Sequence, residues 1–240
     1  LDDSGIYSSG DTAIGRLADE TFDERVDISK GSTVGLSEII LEGGTSTGFD
    51  GTPGSGAKIT SSSTSPGTIL TISVNNTIDV RIRDFEVASV LAVSPGAVCG
   101  VEVATSVGNN KVTIERMLVR DIRTSGGSSS NTRGIYTNAK RVNIHNTIVE
   151  GVKNLTFGGG GTSYRVWGIY NGHNGKTNNC TVHNVVSESE LACGIEDGVV
   201  KNCIATDADD DDFRSTDSGS DYNLSSDTTA PGANSLVSKT

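Results

Sequence analysis

The chain has 240 residues, with 19 Lys and Arg against 30 Asp and Glu, a formal net charge of −11. That balance repels phosphate backbones and anionic lipid, which argues against nucleic acid and acidic membrane surfaces as partners. No stretch approaches the roughly 20 apolar residues that span a bilayer. Hydrophobic residues make up 34% and aromatic residues 5% of the chain, beside 30 glycines, which fits one domain with a slender core and many corners.

The sequence begins at Leu1 with no apolar leader and reads as a processed or partial product. Residues 11–25 carry Ile14, Leu17, Ala18 and Phe22 at helical spacing. They predict a short amphipathic helix that covers an exposed sheet end, so residues 1–34 are assigned to a lead-in and cap. Ser37–Glu42 is strand-like. From about residue 35 to 225 the chain repeats itself.

The repeat is carried by Gly100-Val101-Glu102-Val103, Gly134-Ile135-Tyr136-Thr137, Gly168-Ile169-Tyr170-Asn171 and Gly194-Ile195-Glu196-Asp197, whose glycines are 34, 34 and 26 residues apart. Between them lie runs with period-two alternation: Val80–Asp84, Val112–Arg116, Val142–Asn146, Cys180–Asn184 and, shifted, Val200–Asn202. Units of this length bury their apolar face only against their neighbours. Two or three short strands per unit describe a parallel β-helical coil.

Superposition predicts inward columns of Ile82, Ile114, Ile144, Val182 and Val200, and of Val101, Ile135, Ile169 and Ile195. Asn146, Asn184 and Asn202, with Asp84 and Arg116 before them, predict a corner ladder, because asparagine tolerates left-handed backbone. Arg83, Glu115, His145 and His183 are expected to point outward on a solvated face. Cys99 and Cys193 each precede a repeat glycine, Cys180 aligns with Val142, and Cys203 falls one corner further along. Cys99 and Cys193 are several rungs apart and beyond bonding distance. Cys180 and Cys203 lie on adjacent rungs, and whether they bridge is left open. Residues 226–240 read as a tail or the start of a last rung.

These stacked segments resemble the right-handed parallel β-helix superfamily over about residues 35 to 225. It includes pectate lyases, polygalacturonases, alginate and chondroitin lyases, phage tailspikes and non-enzymatic surface or fibre proteins. The resemblance implies an all-β, single-domain right-handed parallel β-helix solenoid. Asp221–Asp227 followed by Thr229-Ala230-Pro231-Gly232 resembles uncharacterised β-helix proteins of phages and environmental bacteria. The polygalacturonase motifs are not present in their order: Arg81-Ile82-Arg83 comes first, Gly172-His173-Asn174-Gly175 matches by half, and the Asp-Asp run comes last.

Three groups of residues carry candidate chemistry. Tyr136 and Tyr170 share an outward column, with Tyr164, Trp167 and His173 nearby; aromatic faces of this kind stack on sugars, or merely cover the flank of the coil. Asp207, Asp209, Asp210, Asp211 and Asp212 read as a solvated acidic loop, with calcium as the ion their hard oxygens would hold. His145 and His183, expected in one column, supply two imidazoles, too few for a metal centre. The chain is therefore read as a non-enzymatic structural or adhesive protein of a virion, cell surface or extracellular fibre. It requires no cofactor, and its expected partners are glycans or further copies of itself in a trimer or filament. The alternative is a polysaccharide lyase or hydrolase with its site near Tyr136, Tyr170, His173 and Glu196.

Overall fold

The computed structural model describes residues 10–30, 35–44, 50–74, 78–89, 91–93, 96–104, 110–125, 131–139, 141–155, 165–172, 174–188 and 191–237. Among them every regular element is a strand. No helix among them is long and apolar enough to cross a membrane.

The first round of the chain holds β1 (Asp11–Leu17), β2 (Thr21–Asp23) and β3 (Val26–Lys30). The second holds β4 (Leu36–Gly43), β5 (Lys58–Ser61) and β6 (Gly67–Val74), and the third β7 (Asp79–Arg83), β8 (Glu86–Ser89) and β9 (Val98–Val103). The fourth has β10 (Val112–Glu115), β11 (Leu118–Arg120), its continuation β12 (Arg123–Thr124) and β13 (Thr132–Thr137). The fifth has β14 (Val142–His145), β15 (Ile148–Asn154) and β16 (Arg165–Asn171). Then come β17 (Lys176–Asn178), β18 (Thr181–Ser187) and β19 (Leu191–Glu196), followed by β20 (Val199–Lys201), β21 (Ile204–Ala208) and β22 (Asp211–Arg214). β23 (Leu224–Ser225) and β24 (Leu236–Val237) close the series.

Each round deals one strand to each of three parallel sheets. The first sheet runs β1-β4-β7-β10-β14-β17-β20, and the third runs from β3 to β22 through β6, β9, β13, β16 and β19. The second runs β2-β5-β8-β11-β15-β18-β21-β23-β24, with β12 also paired to β15. Buried residues of all three sheets form one contiguous core.

Residues 11–25 are not helical. β1 lies parallel to β4, with Ala13 opposite Ile39 and Arg16 opposite Glu42. Exposure alternates along the strand: Ala13 is buried and Ile14 is 50% exposed. The sheet edge offers a backbone ladder to residues 11–17, and their period-two burial outweighs the helical spacing of four apolar residues.

The first sheet stacks Leu41, Ile82, Ile114, Ile144, Thr177 and Val200 in register. Thr177 occupies the position expected for Val182. The sixth round enters this sheet as Lys176-Thr177-Asn178, where a buried threonine takes a hydrogen bond from Asn171 Nδ2 at 3.1 Å. With no apolar pattern there, the alignment slides forward onto the next strand. Val182 belongs to the second sheet, in a column Ile59, Val87, Val119, Val149, Val182, Ala205. His145 and His183 consequently lie on different sheets.

The asparagine ladder divides for the same reason. One left-handed corner stacks Asp84, Arg116, Asn146, Asn179 and Asn202, with φ of 64, 50, 51, 53 and 53°. Asn184 (φ 60°) belongs to another, with Asp121, Gly151 and Asp207, which bends the second sheet and separates β11 from β12. Directly after the first corner comes an inward column of Ala57, Phe85, Met117, Thr147, Cys180, Cys203 and Asn223, all buried. Each carbonyl in this column accepts the N–H that follows the next member, as in Ile204 N to Cys180 O at 2.9 Å and Leu224 N to Cys203 O at 2.8 Å. Cys180 thus aligns with Cys203, not with Val142.

The repeat glycines explain why the core is narrow. A Cβ on Gly100 would stand 2.7 Å from Val119 Cγ1 and 2.7 Å from the carbonyl oxygen of Gly134. On Gly134 it would stand 2.6 Å from Val149 Cγ1 and 2.5 Å from Gly168 O. Gly168 and Gly194 repeat the contact against Val182 and Ala205. The third sheet therefore approaches the valine column of the second to a distance that admits no methyl group.

Beyond β22 no eighth strand pairs among the described residues. Side chains of the following segment serve instead: Asp227 Oδ2 accepts Asp212 N at 2.9 Å and Thr229 Oγ1 accepts Phe213 N at 2.9 Å. Asp212 answers by accepting Ser226 N at 2.6 Å and Asp227 N at 3.1 Å. These acceptors satisfy an edge that would otherwise template assembly.

Gly134→Ala is expected to destabilise the chain by about 1–3 kcal/mol or more through overpacking, measured by denaturant unfolding. An unchanged midpoint would contradict the close approach.

Candidate functional site

The outer face of the third sheet carries two neighbouring columns. One is Glu102, Tyr136, Tyr170, Glu196 and Arg214, and the other is Cys99, Arg133, Trp167, Cys193 and Asp211. The two columns are three residues apart on each strand, which strict alternation would put on opposite faces; the ring contacts place both on one face, with the alternation broken at Gly168-Ile169, where two successive residues turn toward the core. Tyr136 and Tyr170 are adjacent-strand partners with ring centroids 5.1 Å apart at 20°. Trp167 meets Tyr170 edge-on at 5.6 Å and Tyr136 at 6.2 Å. The three rings form one cluster, which the sequence columns anticipate for the tyrosines alone.

Two arginines flank the rings. The Arg133 guanidinium lies 3.9 Å from the Tyr136 centroid and 5.4 Å from Trp167, and Arg165 lies 5.9 Å from Trp167. Arg165 pairs with Glu196 at 2.9 Å. Arg133 has no carboxylate partner among the described residues, and its Nε is buried without a hydrogen bond. A guanidinium held on an aromatic face without a counter-charge keeps its remaining donors available to oxygen ligands.

The carboxylates of this face are engaged. Glu196, 6% exposed, accepts Trp167 Nε1–H at 2.6 Å on one oxygen and Arg165 on the other. Glu102 accepts the Thr68 hydroxyl at 2.6 Å. Burial raises the Tyr170 phenol to about 12, helped by its hydrogen bond to Asp197 and by nearby negative charge. Trp167 is itself buried, so the tyrosine faces and Arg133 are the accessible chemistry of the cluster. Cys99 and Cys193 sit on the outward columns but are buried, and burial pushes both thiols well above their ordinary value.

Tyr164 and His173 lie outside the described residues. The aspartate run does not converge. Asp209 accepts Ser187 N at 2.8 Å, Asp210 accepts Ala192 N at 2.6 Å, and Asp207 faces His183 at 3.2 Å. Asp211 stands 3.9 Å from Arg214, while Asp212 is fully buried in the terminal cap. Among the described residues no three His, Cys, Asp or Glu side chains are placed to hold a metal ion. The capping role of Asp212 went unseen in the sequence because its partners lie 13 to 15 residues away, in Ser225, Ser226 and Asp227.

The outer face of the first sheet is not simply solvated. Arg16, Glu42, Arg83 and Glu115 alternate in charge up one column, which continues to His145. Glu42 meets Arg16 at 2.8 Å and Arg83 at 2.7 Å, and Glu115 meets His145 at 3.1 Å. Arg16 and then Arg83, by hydrogen bonding, hold the Glu42 carboxyl below its usual value. The second sheet presents Ile204, Leu224 and Leu236 in register, 42, 39 and 67% exposed. A shallow groove of about 300 Å³ near Asp23, Arg25 and Ser62 is closed upon itself, since Asp23 accepts Ser62 N and Arg25 donates to Ser65 O.

No protein-family model, curated protein or solved structure matches this chain.

Because the folded value of Tyr170 lies above that of a free phenol, its contribution to stability is complete below about pH 10 and is lost as pH rises through about 12. Ultraviolet titration should show one late-ionising tyrosine that disappears in Tyr170→Phe. Titration of every tyrosine together near pH 10 would contradict the burial.

Proposed function

We propose that the three sheets are the walls of a single right-handed parallel β-helix, and that this coil is a non-enzymatic structural or adhesive element of a virion, cell surface or extracellular fibre. The cyclic order of strands supports the closed coil, and parallel crossover connections are right-handed in almost all proteins. The observation that carries the functional reading is Arg133 lying over the Tyr136 ring, which stacks on Tyr170, with no carboxylate partner among the described residues. Stacked phenols offer an apolar surface to a sugar ring, and the guanidinium offers donors to its hydroxyl or carboxylate oxygens. Both oxygens of Glu196 are already occupied, and Asp197 is hydrogen-bonded to Tyr170, which favours adhesion over bond cleavage.

Glycan-array binding, followed by titration monitored through the single tryptophan, tests this reading. Tyr136→Ala with Tyr170→Ala is expected to weaken binding roughly tenfold or more, about 1.4 kcal/mol. No binding by the parent chain, or equal binding by the variant, would contradict it.

Self-association is a second reading, favoured by the in-register apolar column Ile204, Leu224 and Leu236 on the second wall. Rows of exposed aliphatic side chains mark contact surfaces. Light scattering is expected to find an oligomer that Leu224→Ser with Leu236→Ser dissociates; a monomer at every concentration would rule the contact out.

A further inference from the structure

The inward corner column places two thiols on consecutive rounds. Cys180 and Cys203 are each 1% exposed, both are reduced, and the amide of Cys180 points at Cys203 Sγ across 3.5 Å. Their following residues, Thr181 and Ile204, are register partners in parallel strands. Adjacent strands lie about 4.8 Å apart, inside the Cα window of about 4.4 to 6.8 Å that a disulfide requires. The other two cysteines are excluded by the same ladder. Cys99 and Cys193 are three strand steps apart on the third sheet, with Arg133 and Trp167 between them.

We propose that Cys180 and Cys203 close a disulfide between consecutive rounds when the chain folds under oxidising conditions, a covalent staple in the last third of the core. This inference is independent of the glycan reading. Its location gives the bond a purpose. The column above is filled by Phe85 and Met117, whereas from Thr147 onward it narrows to Thr147, Cys180, Cys203 and Asn223. The second-sheet column declines in parallel from valine to Ala205 and Ser225. Apolar burial declines across the rounds where the two sulfurs meet. The bond would close a loop of 23 residues, and cross-links of that span restrict the unfolded chain substantially.

With glutathione disulfide as oxidant the exchange balances. The Cys203 thiolate attacks one glutathione sulfur, breaks the glutathione S–S bond and releases one glutathione thiolate, which takes up a proton. Cys180, losing its own proton, then attacks the Cys203 sulfur of the mixed disulfide and releases the second glutathione. Two cysteine thiols give up two electrons and two protons, and two glutathione thiols result. Both sulfurs are buried in the folded chain, so the exchange precedes docking of the seventh round on the sixth.

The test is refolding of the reduced full-length chain from denaturant, in a glutathione redox buffer and, separately, in excess phosphine reductant. Alkylation in denaturant followed by peptide mass spectrometry counts the thiols. The expected result in redox buffer is two free thiols, Cys99 and Cys193, of the four, with one cross-linked peptide pair joining Cys180 to Cys203. The cross-linked product should melt roughly 5–10 °C above the reduced one. A Cys99→Ser, Cys193→Ser variant should form the same link, which separates it from scrambled oxidation. Four free thiols in redox buffer, or a link that uses Cys99 or Cys193, would overturn the proposal.

Discussion

The contact that organises this protein is the approach of four glycines to an aliphatic column. Gly100, Gly134 and Gly168 on the third sheet face Val119, Val149 and Val182 on the second at a separation that leaves no room for a Cβ, and Gly194 faces Ala205 in a looser version of the same contact. Everything outward of that line follows from it. With no side chain at one position per round, the glycine and the aliphatic residue after it both face the core, and the residues on either side of that pair form two close outward rows. Those rows bring Arg133, Tyr136, Trp167 and Tyr170 into a single cluster. The spacing of the tyrosine rings, 5.1 Å, is close to the spacing of the strands that carry them.

Stacking in register imposes a second condition, because each side chain sits above its own equivalent in the next round. Apolar residues satisfy it by repetition, as Ile82, Ile114 and Ile144 do. Charged residues satisfy it by alternation, as in Arg16, Glu42, Arg83 and Glu115, since like charges in one column would repel. Residues in the left-handed region recur at the corners, where Asp84, Arg116, Asn146, Asn179 and Asn202 all have positive φ. The stack ends when side-chain acceptors of Asp227 and Thr229 replace the next strand.

The Gly-Ile-Tyr segments made the third sheet legible from sequence alone, including the Tyr136–Tyr170 pairing. Those segments keep both their glycine and their inward aliphatic residue. The first sheet was legible only while its strands kept two inward aliphatics. The sixth round enters it as Lys176-Thr177-Asn178, which has no inward aliphatic residue, so in sequence the alternating run Cys180–Asn184 aligns there, although Val182, His183 and Asn184 belong to the second sheet. The triplets Phe85-Glu86-Val87, Met117-Leu118-Val119, Thr147-Ile148-Val149, Cys180-Thr181-Val182 and Cys203-Ile204-Ala205 held the correct register. Their first position varies too widely in chemistry to be recognised as a column. Residues 11–17 were misread because the partner that makes them a strand, β4, lies outside any local window. The aspartates of residues 207–212, adjacent in sequence, are dispersed along the strands to separate partners.

A double-mutant cycle on Gly134→Ala and Val149→Ala tests the glycine-to-valine contact most directly. Removing the Val149 methyls relieves the side-chain part of the clash at position 134 while the contact with Gly168 O remains, so the two changes should be coupled, with the double variant more stable than the sum of the singles by about 1 kcal/mol. The same cycle run with Gly134→Ala and Val182→Ala, whose valine faces Gly168 instead, should be additive within about 0.5 kcal/mol. Equal coupling in both cycles, or none in either, would contradict the register on which the fold and its surface depend.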